Sequence, residues 1–243
     1  MGPLAYGAEY LPEDEPLLTA RACAADLGGT EPVLPEVGAA LRFLACAAGA
    51  RTAVEIGTGC GTSGIWLLRG MRPGSTLTSV DIEPEYQRMA RKAFSQAGFA
   101  QNQARLILGR ALDVLPRLSD GAYDLVFCDA DPRDYTDYLA AALRLLRTGG
   151  IVAFNNASLA GAPDDEADDL DGVASFGSVP VDAGGSPDDD AFGDAGLGGE
   201  GAGGEGAGGT ALDLAGQVRA DSRLVPVLLP LGDGLLAAVK RND

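Results

Sequence analysis

Histidine is absent from this sequence of 243 residues, so the commonest general base and the commonest nitrogen ligand for metals are excluded. Apolar runs are short, and none approaches the roughly 20 residues that a membrane-spanning helix needs. The first residues lack the basic start and the apolar stretch of a secretory signal, so we expect a cytoplasmic protein with no membrane partner. The four cysteines form no C-x-x-C pair, so neither a zinc site nor a disulfide framework is predicted.

Basic side chains are also scarce, with 18 lysines and arginines against 35 acids and a net charge of −17. Such a surface repels phosphate backbones, so binding to nucleic acid through a broad basic face is not expected. A small molecule is the expected partner.

Much of the charge lies in one segment, because residues 155–209 hold 13 acids, 15 glycines and no basic residue. A segment of one charge sign with few aromatics cannot bury enough apolar surface to offset its ordering entropy. We therefore predict an acidic, glycine-rich insertion at 157–209 that is disordered over most of 161–209. The alternative is an acidic lid or a cation-binding loop with ligands in 164–166 and 188–190, although the alternating ligands and turn glycine of calcium loops are missing.

Elsewhere, strand-like and helix-like patterns alternate, which is typical of βαβ units and a parallel sheet. Strands are predicted at 52–56, 76–81, 105–108, 125–129, 151–154, 225–229 and 235–239. Helices are predicted at 63–69, 84–97, 135–146 and 211–220, and Gly149-Gly150 is the predicted stop signal after the third of these. Two further helices, at 13–27 and 37–48, lie within residues 1–50 and are expected to cover the sheet or an oligomer interface. Gly232-Asp233-Gly234 reads as a hairpin turn. The expected fold is one α/β domain over 1–243: a Rossmann-like, doubly wound, mostly parallel seven-stranded sheet with an antiparallel C-terminal hairpin and helices on both faces.

A glycine-rich turn, Gly57-Thr58-Gly59-Cys60-Gly61, follows the first strand and opens a helix. Glycines let a ligand approach the backbone, and the start of the helix offers unpaired N–H groups, so a nucleotide-like ligand is indicated. The spacing is G-x-G-x-G, whereas dinucleotide folds prefer G-x-G-x-x-G. Glu55 precedes the turn and can accept hydrogen bonds from an ammonium group, which S-adenosylmethionine carries and NAD lacks. The alternative interpretation is a tight turn with a purely structural role.

Acids stand at the ends of two further strands. Asp81 ends the second strand, about 20 residues beyond the glycines, where a carboxylate holds a ribose diol in nucleotide-binding folds. It can equally cap the helix that begins at Pro84. Asp129 and Asp131 follow the fourth strand, and the carboxyl edge of an open parallel sheet is where ligands bind.

Several motifs in order resemble the cation-dependent O-methyltransferases of the catechol and caffeoyl-coenzyme A type, in particular their small bacterial members. These motifs are Glu36-Val37-Gly38, the run from Glu55 to Ser63, Leu77 to Asp81, Gly109 to Pro116, Tyr123 to Asp131 and Leu229 to Leu236. The resemblance covers roughly residues 13–155 and 211–241. It implies a class I methyltransferase that uses S-adenosylmethionine. It also implies that Val33, Glu55, Gly57, Gly59 and Ser63 surround the methionine part of the cofactor, that Asp81 holds the ribose, and that Ala111 and Leu112 contact the adenine, with Asp129 bordering the cofactor.

The catalytic half departs from the family pattern. The resemblance implies that Asp129 is catalytic and that, with an Asp-Asn pair, it ligates a divalent cation such as Mg²⁺. Asn155-Asn156 stands where the pair is expected, so the ligands would be Asp129, Asn155 and Asn156, with one anionic ligand instead of two. Pro132 stands where the family has a lysine, and Arg133 is adjacent.

The expected function is transfer of a methyl group from S-adenosylmethionine to a hydroxyl of a small molecule, such as a catechol-like diol, by a homodimeric enzyme. An alternative is a catalytically degenerate homologue that keeps the cofactor fold for binding or dimer formation. A methyltransferase without a metal and an unrelated nucleotide-binding α/β protein are the remaining alternatives. Binding of cofactor without turnover would separate the first two.

Overall fold

The computed structural model describes residues 10–29, 31–157 and 212–241. These residues all belong to one compact unit. The disorder expected for 161–209, nearly all of the predicted insertion at 157–209 and the alternative acidic ligands at 164–166 and 188–190 lie outside the described residues. The division of residues 1–243 into one domain with an insertion stays a prediction.

Seven strands form one sheet in the described part of the chain, as predicted. They are β1 (Thr52–Ile56), β2 (Thr76–Asp81), β3 (Ala104–Leu108), β4 (Tyr123–Cys128), β5 (Leu146–Phe154), β6 (Leu224–Leu229) and β7 (Leu235–Lys240). Their order is β3-β2-β1-β4-β5-β7-β6. The first five are parallel, and β7 runs antiparallel to both β5 and β6. The mostly parallel sheet with an antiparallel C-terminal hairpin is therefore confirmed.

Helices cover both faces of this sheet. They are α1 (Glu15–Leu27), α2 (Pro35–Ala47), α3 (Thr62–Gly70), α4 (Pro84–Gln96), α5 (Ala111–Val114), α6 (Tyr135–Leu145) and α7 (Leu212–Ala220), with 3₁₀ turns at Leu115–Arg117 and Pro132–Asp134. Side chains alternate along each strand, so Leu125 and Phe127 of β4 pack with α1 to α4, whereas Val126 and Cys128 pack with α5 to α7. Within the described ranges, no helix is long and apolar enough to cross a membrane.

The boundary between α6 and β5 differs from the prediction. We expected the helix to stop at Gly149-Gly150, but α6 ends at Leu145 and β5 begins at Leu146. The glycines instead lie in an irregular stretch of β5, where the register with β4 shifts between Tyr123 and Leu125. A distant side chain binds this end of the helix: Nζ of Lys240 donates to the carbonyl oxygens of Leu143 and Leu146 at 2.7 and 2.8 Å. A cation at a helix C-terminus satisfies free carbonyls and complements the helix dipole.

Candidate active site

A cleft of about 820 Å³ opens at the carboxyl edge of the sheet, and a smaller cavity of about 50 Å³ adjoins it. Strand β1 lies between β2 and β4, so its loop stands where the chain order reverses. Open α/β sheets bind ligands at such a switch point. Gly57, Asp81 and Asp129 line both cavities, and they come from the ends of β1, β2 and β4.

Gly57 brings the loops after β1 and β4 into contact. Its φ angle is 92°, which disfavours residues with a side chain. A Cβ atom at this position would overlap the backbone carbonyl oxygen of Asp129. The N–H of Asp129 in turn donates to the carbonyl of Ile56 at 2.8 Å. Glycine is therefore required here by both the backbone conformation and the close approach.

Asp81 holds the glycine turn from the side of β2. Its Oδ2 accepts the N–H groups of Thr58 and Gly59, both at 2.9 Å. Its Oδ1 accepts the N–H of Glu83 at 2.9 Å, directly before α4. Glu83 and not Asp81 is the N-cap residue of α4, and the helix has no side-chain cap, so Asp81 orders the approach to the helix without capping it, while the same side chain lines both cavities. Contact with a ribose stays a prediction.

Glu55 lies beneath the turn and is fully buried. Its two carboxylate oxygens accept hydrogen bonds from Ser63 at 2.7 Å and from Ser79 at 2.5 Å, and the hydroxyl of Thr58 lies 2.7 Å from that of Ser79. Burial raises the pKa of Glu55 to about 8, against the opposing effect of the two serine hydroxyls. Ser63 and Thr58 line the small cavity and Glu55 does not, so Glu55 is connected to the cavity through Ser63 and through Ser79 and Thr58.

Asp129 and Asn155 meet at the ends of β4 and β5. Nδ2 of Asn155 donates to Oδ1 of Asp129 at 2.9 Å, although 26 residues separate them, because β4 and β5 are neighbours. Burial raises the pKa of Asp129 to about 6, and the hydrogen bond from Asn155 opposes this shift. Asn156 lines the large cleft with a φ angle of 52°. Of the three predicted cation ligands, Asp129 and Asn156 therefore line the large cleft, whereas Asn155 lines neither cavity and contacts Asp129.

The loop after Asp129 directs its charged groups to each other. Asp131 caps the 3₁₀ turn that Pro132 opens, and it forms an ion pair with Arg133 at 2.6 Å. The guanidinium of Arg133 lowers the pKa of Asp131 and is itself largely exposed. Among the described residues, no group of three His, Cys, Asp or Glu side chains could hold a metal ion.

The other predicted cofactor residues divide between the cavities. Val33, Gly59 and Ser63 line the small one, and Ala111 and Leu112 line the large one. Sequence reasoning missed several lining residues, namely Glu31, Ile82, Tyr86, Arg110 and Tyr138. The position of Ile82 directly after the strand-end acid Asp81 could have placed it at the same sheet edge, and it is 59% exposed at the cleft. The hydroxyl of Tyr86 donates to the carbonyl of Gly28 at 2.7 Å and thereby joins α4 to the end of α1.

Relatives of known description cover nearly the whole chain. A probable O-methyltransferase of Mycobacterium tuberculosis is 41% identical over 237 residues, which are 97% of this chain and 89% of the relative. A Mycobacterium marinum protein described in similar terms is 42% identical over 237 residues, with the same shares of both chains.

Solved structures share the fold. A Corynebacterium glutamicum protein matches with a TM-score of 0.75 and 27% identity, over 98% of this chain and 95% of that chain. The O-methyltransferase TomG of Streptomyces achromogenes, which is involved in tomaymycin synthesis and was solved in complex with S-adenosylmethionine, matches with a TM-score of 0.74 and 26% identity, over 98% and 96%. The model of the O-methyltransferase family matches residues 17–175. The chain therefore belongs to the O-methyltransferase family, as its motifs predicted.

Proposed function

We propose that this O-methyltransferase transfers the methyl group of S-adenosylmethionine to a hydroxyl of a small molecule. One observation carries the proposal: Asp129 borders both the small cavity behind the glycine turn and the large cleft. The volume of about 820 Å³ is that of a site for a cofactor-sized ligand and a small acceptor. The TomG complex supports the same donor.

The small cavity fits the methionine part of the cofactor. The hydroxyl of Thr62 lines it, is buried and has no hydrogen-bond partner within the described chain. Gly61, which precedes α3, supplies no side-chain cap, so the first N–H groups of that helix are available. An unpaired hydroxyl and a helix N-terminus together suit a carboxylate. The chain thus offers polar partners where the methionine carboxylate would bind.

The large cleft fits the nucleoside part. Asp81 stands between the cavities, where its carboxylate can accept hydrogen bonds from ribose hydroxyls in addition to the backbone groups it already holds. Ile82, Ala111 and Leu112 provide an apolar wall nearby for a flat adenine ring.

Asp129 is the residue that we propose to act on the acceptor. When bound, S-adenosylmethionine supplies a methyl group whose bond to sulfur breaks, with both electrons passing to sulfur, as the acceptor oxygen bonds to carbon. The hydroxyl proton has to leave in the same reaction, and the carboxylate of Asp129 borders both cavities and can receive it. The rest of the rate enhancement comes from alignment of the acceptor oxygen with the methyl carbon.

Calorimetric titration with S-adenosylhomocysteine tests the donor assignment, because the product occupies the same site and cannot react. We expect saturable binding of one molecule per chain and no binding of NADH. Transfer of labelled methyl groups to a panel of hydroxylated aromatics then tests the reaction. Absence of S-adenosylhomocysteine binding would refute the cofactor, whereas binding without transfer to any acceptor would support the degenerate alternative.

A divalent cation is a poor fit to the residues implied by the resemblance. Asp129 is the one carboxylate among Asp129, Asn155 and Asn156, and its Oδ1 already accepts the amide of Asn155. No step through a cation is part of the proposed reaction.

We also propose that two copies of the chain associate through the β6 edge of the sheet. Val225, Val227 and Val239 are 50%, 45% and 39% exposed there, and Val225 pairs directly with Val239. The alternation of side chains along the strands places these three valines on the sheet face that α2 covers. Phe43 of α2 is 70% exposed. Exposed apolar patches of this kind mark interaction sites. The apolar edge therefore supports a homodimer.

Light scattering coupled to size exclusion checks this association. The native chain is expected to elute as a dimer and Val227→Asp as a monomer, because a buried unpaired charge opposes association. Leu108→Asp is the matched control, since Leu108 is 56% exposed on β3 at the opposite edge and its replacement should leave the dimer intact. A monomeric native chain at micromolar concentration would contradict the proposal.

The cysteines are consistent with a reducing compartment. All four are free, and Cys60 and Cys128 are buried. Burial raises the pKa of Cys60 to about 11, so it remains a thiol. Free thiols persist where glutathione and thioredoxin keep them reduced, and we propose the cytoplasm as the location.

A further inference from the structure

Asn155 and Asp129 contact each other directly at the point where the family resemblance implies a shared cation. Nδ2 of Asn155 donates to Oδ1 of Asp129 at 2.9 Å. An ionised carboxylate oxygen only accepts hydrogen bonds, so the amide nitrogen rather than the amide oxygen has to face it. A cation bound by both side chains would need the amide oxygen on that side, and this hydrogen bond would break.

The backbone of Asn155 is fixed on both sides. Its N–H donates to the carbonyl of Cys128 at 3.0 Å, and its carbonyl accepts the hydroxyl of Tyr135 at 3.0 Å. Tyr135 is itself buried and packs against Phe154, with the ring centroids 5.2 Å apart. The amide of Asn155 is therefore held beside Asp129 by the fold.

No second carboxylate compensates in the part of the chain that the structure describes. Asp131 is paired with Arg133 at 2.6 Å, and Asp134 accepts the hydroxyl of Tyr138 at 3.3 Å. Magnesium and calcium sites rely on several oxygen ligands, of which carboxylates supply the neutralising charge. Asp129 alone leaves half of the charge of a divalent ion uncompensated.

We infer that a direct amide–carboxylate pair replaces the cation centre in this chain and that methyl transfer proceeds without a divalent ion. Asn155 is a positioning residue that occupies Oδ1 of Asp129. Oδ2 has no hydrogen-bond partner among the described residues and is left to accept the hydroxyl of the acceptor. The inference rests on the proposed function for the reaction, whereas the pair itself is tested without it.

The replacement also defines the class of acceptor. A cation binds a vicinal diol more tightly than a single hydroxyl, because both oxygens of the diol can ligate it. A single carboxylate oxygen binds one hydroxyl, and a second hydroxyl on the adjacent carbon adds no comparable affinity. The acceptor therefore needs only one hydroxyl, and a vicinal diol such as a catechol has no advantage over a monohydroxylated molecule.

Titration with Mn²⁺, followed by electron paramagnetic resonance, tests the pair directly. The native chain is expected to show no saturable site below about millimolar metal. Asn155→Asp places a second carboxylate beside Asp129 and is expected to tighten Mn²⁺ binding by at least about tenfold. Asn102→Asp adds the same charge at an exposed position far from the cleft and should bind as the native chain does.

Tight Mn²⁺ binding by the native chain at this site would overturn the inference, as would loss of methyl transfer in EDTA that Mg²⁺ restores. The titration of the native chain decides the question even if Asn155→Asp does not fold. Failure of the native chain to bind S-adenosylhomocysteine would refute the proposed function and leave the metal titration informative.

Monohydroxylated and vicinal diol acceptors should have kcat/KM values within about tenfold of each other. An exclusive preference for diols would contradict the inferred acceptor class.

Discussion

Asp81→Ala is expected to weaken binding of S-adenosylhomocysteine by at least tenfold. The carboxylate holds the N–H groups of Thr58, Gly59 and Glu83, so its removal loosens the glycine turn as well as the proposed ribose contact. Hydrogen bonds to a charged group contribute roughly 1.5–3 kcal/mol each, and about 1.4 kcal/mol corresponds to a factor of ten in affinity. Isothermal calorimetry measures the change.

Asp124→Ala is the matched control for this loss. Asp124 also accepts two backbone N–H groups, those of Arg51 at 2.7 Å and Thr52 at 2.9 Å, but it lies at the amino edge of the sheet, away from the cleft. The control should lower thermal stability and keep the affinity within about twofold of native, since its contacts are structural only. Native affinity in Asp81→Ala would remove Asp81 from the binding site.

Gly57→Ala is expected to lower the free energy of unfolding by roughly 2–5 kcal/mol, because two penalties combine. A φ angle of 92° costs a residue with a side chain, and the added Cβ overlaps the carbonyl oxygen of Asp129. That oxygen belongs to the backbone, so it cannot move aside as a flexible side chain would. Denaturation by urea, followed by circular dichroism, measures the loss.

Gly98→Ala separates the two penalties. Gly98 has a φ angle of 86°, but nothing lies within 4 Å of its hypothetical Cβ. Only the backbone cost of roughly 1–2 kcal/mol should apply there. Equal destabilisation of the two variants would show that the contact between Gly57 and Asp129 relaxes at no cost.

Local periodicity was sufficient to predict most of the fold. The strands that precede and follow the glycine turn, β1 and β2, have the predicted limits, and Pro84 begins α4 as its fixed φ angle favours. The stop assigned to Gly149-Gly150 was wrong because those glycines lie within β5, and Lys240, from a distant part of the chain, binds the carbonyls of Leu143 and Leu146 at the end of α6. Pairing over such separations leaves no trace in a local window.

The sequence was sufficient to predict which residues lie at the site, but not which atoms of these residues contact each other. Acids at strand ends gather at one sheet edge in any parallel arrangement, so Asp81 and Asp129 could be placed together from sequence. Which atoms face each other depends on packing. The burial of Glu55 behind Ser63 and Ser79, the pairing of Asp131 with Arg133 and the amide of Asn155 on Asp129 are all contacts of that kind.

The contact between Gly57 and the carbonyl of Asp129 has a mechanical consequence. The turn that would grip the methyl donor and the residue that would receive the acceptor are braced against each other through main-chain atoms. The distance between them is thus set by the backbone and does not depend on which side chains line the acceptor cavity. Side chains around the acceptor can be exchanged for a new substrate without disturbing the line along which the methyl group travels.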